Sequence, residues 1–248
     1  MKNIDSRLEK LEITLKNSLI ESETKIPSND DNVLNLWPSY TLEEVLKNPS
    51  FYEQPITPPP AMTSDQFLYS LRSKNVPSDI IDSLALVTVD YRGFNNEVYQ
   101  GQIVIHKDLA SSIKTIFNRI LSETNFPMTS VFPLSMFNWD SSSKYNNSGA
   151  FDWRFVSGSY EISDHAFGAA IDINPAQNPW VKKGLPNAHN QAYDPNKRGT
   201  LHASSGVVRI FKEEGWKWGG DWTNSKDWMH FYRPDISYKY YGKVEVEE

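Results

Sequence analysis

Apolar residues along the chain fall into helical, strand-like and irregular spacings. Between 108 and 122, Leu109, Ile113, Ile116, Phe117, Ile120 and Leu121 return every three or four positions, which predicts a helix with one core-facing side. Ile4, Leu8, Leu11 and Leu15 repeat at 4-3-4 spacing between charges and predict a helix over 4–20, too short for a stable coiled coil. Residues 204–214 predict another helix, stopped by Gly215. Thr41 with Glu44, and Thr63 with Gln66, have the spacing of capping boxes that open helices. Strands are expected at 84–90 (LALVTVD), 102–105 (QIVI), 169–174 (AAIDIN) and 228–232. The polar run DYRGFNNEVYQG between the first two, the Ser- and Asn-rich stretch 138–149 and residues 176–202 are expected as loops. Helices and strands do not alternate regularly. The expected class is therefore α+β, with a small, mostly antiparallel sheet and flanking helices.

The pattern also divides the chain. Residues 21–36 are polar and EQPITPPPAM is proline-rich, so residues 1–60 are expected as an appendage and linker, 61–242 as the body and 243–248 as an acidic tail. The formal net charge is −6, a poor match for a phosphate backbone, so nucleic acid is not an expected partner. Cysteine is absent, which removes disulfides, thiolate metal sites and cysteine nucleophiles. No run approaches the roughly 18 apolar residues of a membrane span. The opening MKNIDSRLEKLE lacks the apolar core of a secretory signal. The expectation is synthesis in the cytoplasm, with any action outside it reached by a route this chain does not encode. Nothing in the pattern sets an oligomeric state.

The candidate chemistry gathers around two of five histidines. Ser163-Asp164-His165-Ala166-Phe167-Gly168-Ala169-Ala170-Ile171-Asp172 is followed at a distance by Asp227-Trp228-Met229-His230-Phe231. Two imidazoles and a carboxylate suit one divalent ion, and three such ligands leave a fourth position for water. A further carboxylate, not bound to the ion, is what proton transfer from that water needs. Gly168 gives the backbone freedom to turn between His165 and Asp172. Asp172 lies in the apolar run AAIDI, where an acid needs a partner.

Ser-x-His-x-x-Gly-x-Ala-x-Asp followed by Asp-x-x-His resembles the zinc peptidases of bacterial cell walls. That family holds D-alanyl-D-alanine carboxypeptidases, vancomycin-resistance dipeptidases and phage L-alanyl-D-glutamate endolysins, and shares its fold with the hedgehog signalling domain. The phrases Phe151-Asp152-Trp153-Arg154 and Gly215-Trp216-Lys217-Trp218-Gly219-Gly220-Asp221-Trp222 resemble the endolysin branch, as does Asp rather than Glu at 227. By pattern the likeness runs over roughly residues 64–236. It implies one zinc ion on His165, Asp172 and His230, with Asp227 as general base. It implies Arg154 as the cation that steadies the carbonyl oxygen, and Ser163 as a supporting hydrogen-bond donor. Asp221 and Trp222 are implied at the cleft wall. The implied substrate is a peptidoglycan stem peptide and the implied reaction is hydrolysis of its L-alanyl-D-glutamate amide, with D,D- or L,D-carboxypeptidase action as the alternative. A zinc-stabilised binding module is the reading from another class, and a spare base at Asp227 argues against it.

Each of these residues also has a plainer reading. His106, at a strand end, is expected to be exposed. His189 and His202 flank a polar loop and are substitute ligands at best. Arg154 has Asp152 within reach as a simple partner. Six tryptophans lie between 153 and 228 and most are expected in the core. Glu213 and Glu214 are adjacent on a helix and should point apart into solvent rather than act as a glycosidase pair. No G-x-S-x-G elbow supports a serine hydrolase.

Overall fold

The structure is a computed structural model and describes residues 61–134, 146–156, 161–182 and 193–241, together with Glu53 and Ser159. The expected helix over 4–20, the linkers, the Thr41 capping box and the acidic tail lie outside these residues. Thr63 opens helix α1 (Ser64–Ser73) with the full capping box. Its side chain accepts from Gln66 N, and the Gln66 side chain accepts from Thr63 N. Phe67 and Leu71, one turn apart, are the buried residues of α1. Helix α2 (Ser78–Ser83) buries Ile80 and Ile81 and leads into the antiparallel hairpin of β1 (Leu84–Arg92) and β2 (Val98–His106). The hairpin is longer than its apolar pattern predicts. Pairing runs to Arg92↔Val98 through the polar residues expected as a loop, because ladder bonds need only backbone groups. Tyr91 and Tyr99 add ring contact across the extension, with centroids 5.8 Å apart.

Helix α3 (Ala110–Glu123) keeps its expected core face. Ile113, Ile116, Phe117 and Ile120 are buried and the helix lies across β1. Each such side chain stabilises by about 1.5–3 kcal/mol. Helix α4 (Gly206–Glu213) packs on α3, is capped by Ser205 and ends before Gly215, whose φ is 82°. Among the described residues the sheet component is four small sheets rather than one, and the α+β class holds. β3 (Ser130–Val131) and β4 (Asn147–Ser148) pair in parallel. β5 (Ala170–Asp172), β7 (Lys217–Trp218) and β9 (His230–Tyr232) form a three-stranded antiparallel sheet in the order β5-β9-β7. β6 (Trp180–Lys182) pairs with β8 (Ser225–Asp227), so part of the expected loop 176–202 is a strand. Helix α5 (Pro234–Tyr241) closes the described chain. No helix among the described residues is long and apolar enough to cross a membrane.

Short strands leave much backbone unpaired, and buried asparagines take over the pairing. Asn174 accepts from Thr129 N and donates to Pro127 O and Gly199 O. Asn178 accepts from Leu201 N at 2.7 Å and donates to Ile173 O and Gly199 O, both at 3.0 Å. Asn146 joins Ala176 N to Thr129, and Asn147 bridges Phe132 N and O. Replacing Asn178 with Ala strands several of these groups in the interior. The expected loss is about 2–4 kcal/mol, since a buried unpaired group costs about 1–3 kcal/mol, and urea unfolding measures it.

Candidate active site

Ser163 begins the site. Its hydroxyl accepts from His165 N at 3.3 Å and caps the 3₁₀ helix Asp164–Phe167, which turns His165 inward. The resemblance implied a donor at Ser163; toward His165 the hydroxyl is an acceptor. Gly168 ends this helix at φ 60°. A Cβ there would lie 2.5 Å from His106 N and 2.8 Å from Leu84 Cδ2, so both conformation and space demand glycine. Gly168→Ala should cost about 1–3 kcal/mol through strain alone and misplace His165. A lowered melting temperature together with weakened metal retention checks this.

The turn at Gly168 sends the chain into β5, where Asp172 pairs with His230 of β9. Ile173 N donates to Met229 O, so the adjacent Asp172–His230 pair is the narrow kind whose side chains approach closely. Alternation places Ile171 and Phe231 in the core and Asp172 and His230 on the other face. Phe231 is backed by Phe211 of α4, stacked with centroids 3.9 Å apart, which fixes the strand that carries His230.

Three ligand atoms thus meet. His165 Nε2 lies 3.2 Å from His230 Nδ1 and 3.3 Å from Asp172 Oδ2, and His230 Nδ1 lies 3.0 Å from Asp172 Oδ1. Ligands about 2.0–2.1 Å from one tetrahedral ion stand about 3.3–3.4 Å apart, so the triangle fits a metal of that size. The tautomer fits too: His165 Nδ1 is hydrogen-bonded to Ala150 O, so Nδ1 carries the proton and Nε2 faces the cluster with its lone pair. All three residues are buried. Burial disfavours the Asp172 carboxylate, yet the two imidazoles outweigh it and hold the group well below the usual carboxylate range. Burial likewise opposes a charged His230, but the hydrogen bond and charge of Asp172, with Asp227 and Asp164 behind it, push its pKa up.

Asp227 ends β8, opposite Trp180. Its Oδ1 is buried without a hydrogen-bond partner among the described residues. Gly219 allows the close packing here, since a Cβ would lie 2.6 Å from Asp227 O. Burial pushes the Asp227 carboxyl up to about 7; His230 and Arg154 pull it down and Asp172 pushes it further up. A carboxylate poised near neutrality beside this His–Asp–His cluster can take up and release protons. Arg154 is half-buried, with Nε 3.1 Å from Asp152 Oδ2 and Nη1 donating to Phe155 O. Arg154 thus has its expected partner in Asp152, and its charge also reaches Asp227.

Residues 157–233 match the family model described as D-alanyl-D-alanine carboxypeptidase. The match supports a peptidase of that family. No curated protein and no solved structure matched the chain. The matched span holds both motifs of the resemblance, from Ser163 to His230, and stops short of Arg154, whose case rests on its position. Trp222 stands beside the cluster: its ring lies 5.8 Å from that of His230, and its Nε1 donates to Tyr232 OH. Asp221 is exposed and pairs with Lys212 at 2.8 Å. Sequence reasoning passed over Tyr232, which stacks on His230 at 5.4 Å, although its position two residues along the same strand puts it on the same face. The Ala150 carbonyl was also missed, and backbone anchors leave no residue-type signal.

Several plain expectations change around this site. His106 is 4% exposed rather than solvated, because α5 covers the end of β2. Its Nδ1 accepts from Asp108 N and its Nε2 meets Tyr240 OH at 3.0 Å, while Tyr240 stacks on Phe167. Burial lowers its pKa, with Asp108 opposing that shift. His202 contacts Ser204 and has no part in the metal cluster; His189 lies outside the described residues. Of the six tryptophans, only Trp216 and Trp218 are buried, and Trp153, Trp180, Trp222 and Trp228 are half-buried. Glu213 and Glu214 converge on Arg119 instead of pointing apart, because α3 packs beside α4 and offers one guanidinium to both.

Proposed function

We propose that this chain is a zinc-dependent hydrolase of peptidoglycan stem peptides, with residues 61–242 as its catalytic unit. The observation that carries the reading is the triangle of His165, Asp172 and His230 with the unpartnered carboxylate oxygen of Asp227 nearby. His165, Asp172 and His230 would hold one zinc ion, which supplies Lewis acidity that acidifies water and polarises the scissile carbonyl. Asp227 takes the proton of the attacking water and passes it to the leaving amine. Arg154 faces the carbonyl oxygen as it gains charge; a fixed charged donor of this kind is worth about 10²–10³ in rate. Trp222 and Tyr232 keep the ring of His230 in place and shield one side of the site from water.

The Asp at 227 and the aromatic run before it favour the L-alanyl-D-glutamate amide as the bond cut. The description of the matching family favours D-alanyl-D-alanine carboxypeptidase action as the second reading. Mass spectrometry of muropeptides incubated with zinc-loaded protein separates them. Release of the stem from its muramic acid-linked L-alanine is the expected result, and free D-alanine from an intact stem assigns the second. Bound zinc with no product between pH 5 and 9 would instead make the domain a binding module.

A further inference from the structure

We infer that Asp152 is a positioning residue: its carboxylate aims the Arg154 guanidinium while its own backbone is tied to His165, so cation and metal ligand are held at one fixed offset. This rests on the reading of Arg154 as the group that faces the substrate carbonyl.

The geometry is built from the backbone upward. Asp152 N donates to His165 O, Ser163 N to Arg154 O, and Val156 N to Glu161 O. Phe155 bridges Ile162 in the same antiparallel register. Residues 154–156 and 161–163 therefore run as a short ladder in which Arg154 stands opposite Ser163, and the bond from Asp152 N to His165 O ties the start of the following 3₁₀ helix to it. Alternation puts Arg154 and Ser163 on one face, and the ion pair brings Asp152 to Arg154 there, while the 3₁₀ helix Asp164–Phe167 turns His165 inward. Asp152 Oδ2 lies 3.1 Å from Arg154 Nε as an ion pair, and the Phe155 carbonyl accepts a hydrogen bond from Nη1 at 3.2 Å. An ion pair at one edge of the guanidinium and a hydrogen bond at another thus restrain its plane.

An ion pair between residues two apart on one strand joins no distant parts of the chain. It therefore adds little to the fold, and its consequence is the direction of the cation. Asp152 is also well shielded from solvent, its side chain 11% exposed, and a buried carboxylate needs cationic company. Lys74, whose ammonium donates to Leu134 O, supplies further attraction from α1.

The test uses the zinc-loaded full chain. Asp152→Asn should lower kcat on stem peptides by about 10- to 100-fold, the usual result of small misplacement in an active site, with KM changed less than about twofold. Bound zinc and melting temperature should be unchanged, and Asp152→Glu should recover part of kcat. Combined with Arg154→Ala, the Asp152→Asn change should cause no further loss. Wild-type kcat in Asp152→Asn, or losses that multiply in the double variant, would overturn the inference. So would a collapse of the melting temperature in Asp152→Asn, which would assign the residue to folding. A second readout needs no turnover: the Nε–H of Arg154 should give a slowly exchanging ¹⁵N-correlated NMR signal in the wild type. Its absence there overturns the pairing whatever the activity. If the signal is present but no stem peptide is cleaved, the peptidase reading fails and the pairing stands.

Discussion

Asp227→Asn is expected to lose turnover by about 10²–10⁴-fold, the scale of a lost general base, while zinc binding is retained. The three ligand atoms come from His165, Asp172 and His230, and Asp227 is not among them. Asparagine has nearly the same shape but cannot take a proton, so the change isolates the chemistry. The variant should also be more stable than the wild type when metal-free. Burial pushes the folded-state carboxyl up to about 7 from 3.8, so the folded protein binds this proton more tightly than the unfolded chain. For a group with a raised folded pKa, the associated stability is present below 3.8 and is lost as pH rises through about 7. At pH 8 the wild type carries a carboxylate with one oxygen buried and without a hydrogen-bond partner, a charge that the variant lacks. A higher melting temperature for metal-free Asp227→Asn at pH 8, with the difference vanishing toward pH 4, checks the sign. In the loaded protein a nearby dication favours the carboxylate, so the rising limb of kcat/KM should fall below pH 7 and disappear in the variant. Near-full activity in Asp227→Asn would remove the base assignment.

How far the sequence foretold this arrangement depends on what each part rests on. The α3 helix was legible because four apolar side chains on one face can be buried only by a 3.6-residue period. The Thr63 capping box was legible for a similar local reason. The extension of β1 and β2 through polar residues was not, because those pairs are held by backbone bonds and by Tyr91 against Tyr99 across the ladder. β6 was hidden as well, since it is three residues long, mostly exposed, and held by backbone pairing with β8. The meeting of His165, Asp172 and His230 was legible from spacing and resemblance, and Gly168 carried a direct conformational signal. The burial of His106 could not be read locally: the helix that covers it lies more than a hundred residues away and its contact is a single tyrosine. The same holds for Asp227, whose raised pKa is produced by packing against Gly219 and by the absence of a partner. Chemistry that depends on residue type was written in the sequence, whereas chemistry that depends on what is missing from a residue's surroundings was not.

His230→Ala should lose both metal and turnover, and it should destabilise the fold where Asp227→Asn does not. The change deletes one ligand atom and leaves Asp172 buried with a single imidazole. A buried charge stripped of a partner typically costs about 3–5 kcal/mol. The metal-free wild type has a definite pH dependence from the same groups. Asp172 is depressed from 3.8, so its contribution is present above that value and is lost as pH falls through the folded pKa. His230 is raised from 6.5, so its contribution is present below that value and is lost as pH rises through the folded pKa. Together with Asp227, these shifts confine the best stability of the metal-free protein to acidic pH, between the two ordinary values. Metal binding works in the opposite direction, because it needs both imidazoles unprotonated at the ligating nitrogen. The gap in melting temperature between zinc-loaded and chelator-treated protein should therefore widen from pH 5 to pH 8, with zinc at 100 times its Kd adding about 2.7 kcal/mol. In His230→Ala the gap should close at every pH. A gap that stays constant with pH in the wild type, or survives in His230→Ala, would mean that the ion is held by other groups and that the triangle of His165, Asp172 and His230 is only a buried ion pair.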